Sequence, residues 1–243
     1  MCGRTTSTLS RDQFAQLLDV DEVDAPELPI SWNVAPTQDI YVAATTSSGS
    51  RKLRALRWGL VPHWSKEPRV AFINARAETM VTKPAFRSAV GFRRGVAPLS
   101  GFYEWKRPQP GLRARAEPFY FRPASPGSAL GVAVLYEIWR DTEGTPLRTV
   151  AIITTAANGT MSPVHHRMPV ILSPGDWAEW LAPGPLSAIR LAQLMAPAPD
   201  DLLETYPVSP AVNSAKNNGP ELIERWQPTL STQRGGSVEG QLL

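Results

Sequence analysis

Apolar and polar residues alternate along much of this chain with the two-residue period of β-strands, and helical spacing is confined to short stretches. A capping box, Ser10 with Gln13, opens a short amphipathic helix carrying Phe14, Leu17 and Leu18. Residues 40–45 and 52–58 read as a hairpin through the polar turn 46–50, and 70–73 as a strand running abruptly into the polar stretch 74–79. A proline-initiated helical turn is predicted at 83–87 and a strand at 95–99. In 100–106 the alternation puts Phe102 and Glu104 on one strand face and Tyr103 and Trp105 on the other. Strands follow at 118–122, 130–139 and 148–155, the last two joined through Asp141-Thr142-Glu143-Gly144. Beyond a strand ending at Leu172, helices are predicted around Trp177, Trp180 and Leu181 and over 186–195. A short strand at 206–209, a polar loop at 212–219 and a last helix near 221–226 complete the set. From Pro228 onward Ser, Thr, Gln and Gly dominate, so 228–243 reads as a disordered tail and 2–227 as one domain.

Composition agrees with short elements, because 24 prolines in 243 residues interrupt long helices. A single cysteine excludes an internal disulfide framework and any multi-cysteine zinc site, and three histidines leave little for metal ligation, so neither metal nor cofactor is expected. The net charge of +3 permits a nucleic-acid partner without requiring one. There is no signal-peptide pattern and no apolar run of membrane-spanning length, which places the chain in the cytoplasm, away from membranes.

The one cysteine is Cys2, behind Met1. Initiator methionine is normally removed before a small residue, which would leave a 1,2-aminothiol. A terminal α-amine has a pKa of about 7.7–8.0, against about 10.4 for lysine, so it can attack an aldehyde without help from burial. The neighbouring thiol can then add to the same carbon and close a five-membered thiazolidine, favoured by its effective concentration.

Other stretches supply partners. Trp64 lies in polar company beside His63, Ser65 and Lys66, the setting of a stacking platform for unpaired bases. Glu104 lies among three aromatics, where burial raises a carboxyl pKa toward that of a general acid. His165 and His166 precede Arg167 between a loop and a strand. The basic residues around Arg87, Arg93 and Arg94 read either as phosphate contacts or as a solvated face.

Taken together, Cys2-Gly3-Arg4, Asn33-Val34-Ala35-Pro36, Trp58-Gly59-Leu60-Val61-Pro62, Asn74-Ala75-Arg76-Ala77-Glu78-Thr79, Gly101-Phe102-Tyr103-Glu104-Trp105 and His165-His166-Arg167-Met168-Pro169 closely resemble the SRAP family of abasic-site processing proteins. The resemblance implies an α+β single domain with a mostly antiparallel β-barrel-like core, flanking short helices and a groove for single-stranded DNA. It implies that Cys2 crosslinks to the ring-opened aldehyde of an abasic site as a thiazolidine, with lyase and self-cleaving peptidase side activities. By the same resemblance Cys2 is the nucleophile, Asn74 orients the sugar or amine, Glu104 is the acid/base, and His165, two before the arginine, gives a proton to the sugar ring oxygen. Arg4, Arg76 and Arg167 are implied phosphate contacts, and Asn33, Pro36 and Trp64 complete the DNA-binding set, the last two as a wedge. Some relatives have a second tryptophan where this chain has Ser65. The implied partner is single-stranded DNA containing abasic sites, bound by a monomer.

Two other classes fit parts of the pattern. Glutamine amidotransferases also begin Met-Cys-Gly, though usually with an apolar residue where Arg4 stands, and a noncatalytic single-stranded-DNA module would need only the tryptophans and arginines.

Overall fold

The computed structural model describes residues 2–69, 71–109, 111 and 115–227. The elements in chain order are β1 (Thr5–Ser7), α1 (Arg11–Leu17), β2 (Glu22–Val23), β3 (Ser31–Val34), β4 (Asp39–Thr45), β5 (Arg51–Trp58) and β6 (Asn74–Arg76). They continue with α2 (Arg87–Phe92), β7 (Arg94–Leu99), β8 (Gly101–Lys106), β9 (Glu117–Pro123), β10 (Leu130–Arg140), β11 (Pro146–Ala156), β12 (Arg167–Pro169), α3 (Trp177–Leu181), α4 (Ala188–Leu194) and β13 (Leu203–Pro207).

Strands β11, β10, β7, β4 and β5 are neighbours in that order, and a short parallel pairing of β5 with β11 (Arg57 with Thr149, Trp58 with Val150) closes them into a five-stranded barrel. Beside it lies an antiparallel sheet in the order β13, β9, β8, β1, β3. The α+β, barrel-cored single domain expected from the sequence is what the chain forms.

Alternation decides which strand face packs where. Val42, Leu56, Trp58, Val134, Val150 and Ile152 form a core with Cys2, which precedes β1, and with Val34, Phe102 and Phe121 of the β13–β9–β8–β1–β3 sheet. Tyr41, Leu53 and Leu135, one residue out of phase, pack instead against Phe14 and Leu18 and against Trp180 of α3. Tyr103, Tyr120 and Tyr206 make a third cluster on the far side of the small sheet.

After Trp58 the chain leaves the barrel and returns to the same edge of β11, where Asn74 pairs with Ile152. Residues 59–73 are therefore an excursion from an almost continuous strand position. Its neck is closed by reciprocal hydrogen bonds between Leu60 and Phe72, both 2.9–3.0 Å, and opens at Gly59, whose φ of +126° favours glycine.

The capping box forms as expected: Ser10 Oγ accepts from the Gln13 amide, and Gln13 Oε1 accepts from the Ser10 amide. The β4–β5 and β10–β11 hairpins also form where predicted. The strand expected at 70–73 instead begins at Asn74, with Phe72 making only a single bridge; Val70 lies outside the described residues. The helical turn expected at 83–87 forms, with the Phe86 and Arg87 amides donating to Lys83 O, and leads into α2; the last helix is one 3₁₀ turn, Pro220–Ile223. The tail 228–243 lies outside the described residues. Arg94 is neither a solvated charge nor a phosphate contact: it is buried and donates to the carbonyls of Trp180, Val90 and Gly184, tying α2 and α3 to β7. Among the described residues, no helix is long and apolar enough to cross a membrane.

Candidate active site

Cys2 is 1% exposed, between the barrel and the small sheet. A chain terminus frays unless bonded, and this one is bonded residue by residue. Arg4 O accepts from the Tyr103 amide at 2.9 Å, Thr5 pairs with Phe102, and the Asn74 amide donates from Nδ2 to Cys2 O at 3.0 Å. Asn74 reaches Cys2 because β6 pairs with the end of β11 beyond the barrel closure. Its Oδ1 is buried and, among the described residues, accepts nothing, so an acceptor remains beside the backbone of Cys2.

Glu104 follows Phe102 on the inward face of β8 and is 4% exposed. Burial pushes the Cys2 thiol well above its ordinary range, and the Glu104 carboxylate raises it further, while the Arg4 backbone amide at the sulfur pulls the other way. The thiol is therefore protonated near neutral pH. Burial lowers the His165 pKa, the Glu104 charge opposes that, and His166, stacked at 4.4 Å between ring centroids, adds to the lowering. Its Nδ1 lies 3.0 Å from the Arg167 amide and 3.2 Å from Arg167 O, so it accepts from the first in one tautomer and donates to the second in the other. Glu104 thus acts on both Cys2 and His165, and with Asn74 on Cys2 O the four expected catalytic residues converge.

A family model for the SOS response associated peptidase (SRAP) matches residues 1–215. The chain belongs to the SRAP family. The abasic site processing protein YoqW of Bacillus subtilis is 41% identical over 227 residues, which are 92% of this chain and 99% of that one. The abasic site processing protein HMCES of Rattus norvegicus is 30% identical, over 92% of this chain and 75% of its own length. A crystal structure of a protein from Bacteroides thetaiotaomicron superposes with a TM-score of 0.80 over 93% of this chain and all of that one, at 24% identity, and shares the SRAP fold.

Among the residues placed on DNA by the resemblance, Arg76 and Trp64 stand exposed on the SRAP surface, and Pro36 is half-buried in the turn between β3 and β4. Arg4 is mostly turned inward: Nη1 donates to Asn33 Oδ1 at 2.7 Å and to Val212 O at 2.9 Å, and burial lowers its pKa. Asn33 is 2% exposed, and its Nδ2 donates to Ser214 O and Asn217 O. In this structure it joins the loop after β13 to Arg4 and presents no polar atom outward. Arg167 makes a two-pronged ion pair with Glu78, 2.5 and 2.9 Å, and its Nη2 also donates to Thr154 O. That fork holds the segment after β6 and the start of β12 on either side of β11, and so fixes Asn74 and His165 relative to each other.

Two contributors escaped the sequence reading: Glu78 and the carbonyls of 212–217. Glu78 stands two residues after Arg76 in its motif, but nothing local names a partner 89 positions away. Residues 212–217 read as a polar loop, and backbone acceptors carry no side-chain signal.

Proposed function

We propose that this chain processes abasic sites in single-stranded DNA, with Cys2 exposed as the first residue by removal of Met1. The observation that supports the reading is the grip of Asn74 on Cys2 O, with the Glu104 charge acting on both Cys2 and His165. That grip fixes an aminothiol where a sugar aldehyde can meet it.

His165 Nε2 takes the proton of the C1′ hydroxyl and gives it to the sugar ring oxygen as the C1′–O4′ bond breaks, opening the ring to the C1′ aldehyde. Glu104 takes the proton of the α-ammonium, and the freed amine attacks C1′. The resulting carbinolamine loses its hydroxyl as water, with Glu104 returning the proton, and leaves a protonated imine. The thiol, kept protonated by burial and by Glu104, then adds to the imine carbon and passes its proton to the nitrogen, closing the thiazolidine. A protonated thiol favours attack by the amine first. An imine at C1′ acidifies C2′, so β-elimination at the 3′ phosphate is the lyase side reaction, and release of residues before Cys2 is the peptidase one.

A base-less sugar in unpaired DNA has no stack to lose on entering the site. Exposed Arg76 is suited to a flanking phosphate, Trp64 and Pro36 to adjoining bases. Arg4 and Arg167 approach phosphates from inside their hydrogen-bonded seats, with Asn33 positioning Arg4. Incubation with a single-stranded oligonucleotide bearing one abasic site is expected to give a heat-stable shifted band. A band undiminished in Cys2→Ala, or none with the native protein, would sink the proposal.

A further inference from the structure

Outside the active site, the charged group buried most completely among the described residues is Glu137, 3% exposed in β10. Arg93, at the junction of α2 and β7, approaches its Oε1 at 2.6 Å. On the other side His63 Nδ1 lies 2.9 Å from Oε2. A buried carboxylate between two basic side chains is costly to desolvate and worth keeping only for what it positions.

What it positions is the tip of the 59–73 excursion. Glu137 and Trp139 share one face of β10, and they hold the two neighbours of Trp64: Glu137 takes His63, and Trp139 Nε1 donates to Ser65 O at 2.7 Å. Val61 is fixed as well, its amide donating to Thr149 Oγ1 at 2.9 Å. Between these anchors, which hold the His63 ring and the Ser65 carbonyl, the Trp64 side chain is left 55% exposed. An indole held by its neighbours, rather than by its own burial, is a rigid and open face.

We propose that Glu137 is a positioning residue that, through His63 and with Arg93 bracing it, sets the Trp64 indole as the stacking platform for the unpaired base next to the lesion. The proposal rests on the abasic-site reading for its ligand and deepens it. The 59–73 excursion begins at Trp58 and ends at Asn74, so the same segment carries the platform at its tip and the group holding Cys2 at its base. Base and lesion are thus registered by one piece of chain.

A double-mutant cycle on the full-length protein tests this, using an undamaged single-stranded oligonucleotide and the same strand with one abasic site. Trp64→Ala is expected to weaken binding of undamaged strand by about 5- to 150-fold, the worth of one base–aromatic stack. Glu137→Gln is expected to weaken it several-fold with Trp64 present and by less than about 2-fold in the Trp64→Ala background. With the abasic strand, Glu137→Gln raises the half-saturating concentration and leaves the maximal crosslinking rate unchanged. Equal losses in both backgrounds, or no loss from Trp64→Ala, would overturn the proposal. Should Glu137→Gln fail to fold, His63→Ala, which removes the exposed arm of the latch, completes the same cycle with the same two outcomes. Absence of crosslinking by the native protein would defeat the abasic-site reading alone, because the cycle on undamaged DNA does not use Cys2.

Discussion

Asn33 separates two accounts of the same residue. On a DNA-contact account, Asn33→Ala weakens binding of single-stranded DNA and leaves stability alone. The structure gives it inward bonds: Oδ1 accepts from the partly buried Arg4 guanidinium at 2.7 Å, and Nδ2 donates to Ser214 O at 2.9 Å and Asn217 O at 2.8 Å. A bond to a charged group contributes about 1.5–3 kcal/mol, and each neutral one about 1 kcal/mol. Ser214 and Asn217 are exposed, so water recovers part of the neutral pair. We therefore expect Asn33→Ala to cost about 3 kcal/mol, measured as a fall in the urea midpoint at unchanged m-value. Asn33→Asp keeps the acceptor for Arg4 but turns a carboxylate oxygen toward two carbonyls, so it recovers only part of the loss. Crosslinking by Asn33→Ala is expected to slow, because Arg4 and the adjoining Cys2 lose their anchor. A loss under about 1 kcal/mol together with clearly weaker DNA binding would refute the inward account and restore the contact role.

Two further substitutions probe the frame. Arg167 holds the Glu78 carboxyl below its ordinary pKa, so the native state binds fewer protons there than the unfolded chain. The pair's contribution is complete above the unfolded-state pKa, about 4.3, and disappears as pH falls through the lower folded value. Glu78→Gln should therefore flatten the acid side of the stability profile, and an unchanged profile would show the pair to be ornamental. At Gly101 a Cβ would come within 2.6 Å of Phe121 O, a backbone atom that can yield only by shifting β9 against β8. Gly101→Ala is expected to destabilise by about 1–3 kcal/mol and to slow crosslinking by moving Glu104, three residues along; wild-type thermal stability in that variant would be the contrary result.

How much of this was legible depended on how local the determinant was. The β10–β11 hairpin carries its own turn, and β8 its own alternation: Phe102 and Glu104 pack toward the barrel and Tyr103 into the tyrosine cluster, as the period of two required. The barrel closure was not readable, because Trp58 and Val150 meet through a parallel pairing with no local signature. Nor was the start of β6, where three polar or small residues, Asn74 to Arg76, pair along the edge of β11 and apolar Ile73 reaches it only through its carbonyl. For the site, motif resemblance brought Cys2, Asn74, Glu104 and His165 together, and the structure adds the bonds that hold them. Arg94 was misjudged because it satisfies its charge with backbone carbonyls, and the partners of Arg167, a carbonyl and a carboxylate 89 positions away, are likewise not displayed by a sequence.

The excursion from Trp58 to Asn74 has a consequence for the order of events during synthesis. Asn74 can grip Cys2 only after β6 has an edge to pair with, and that edge belongs to β11, made much later. Until then the first residues of the chain remain open to processing enzymes; afterwards Cys2 is 1% exposed. Under the proposed chemistry, removal of Met1 is a nascent-chain event with a closing window. A protein that folds before that trimming would be stable, correctly shaped and chemically silent.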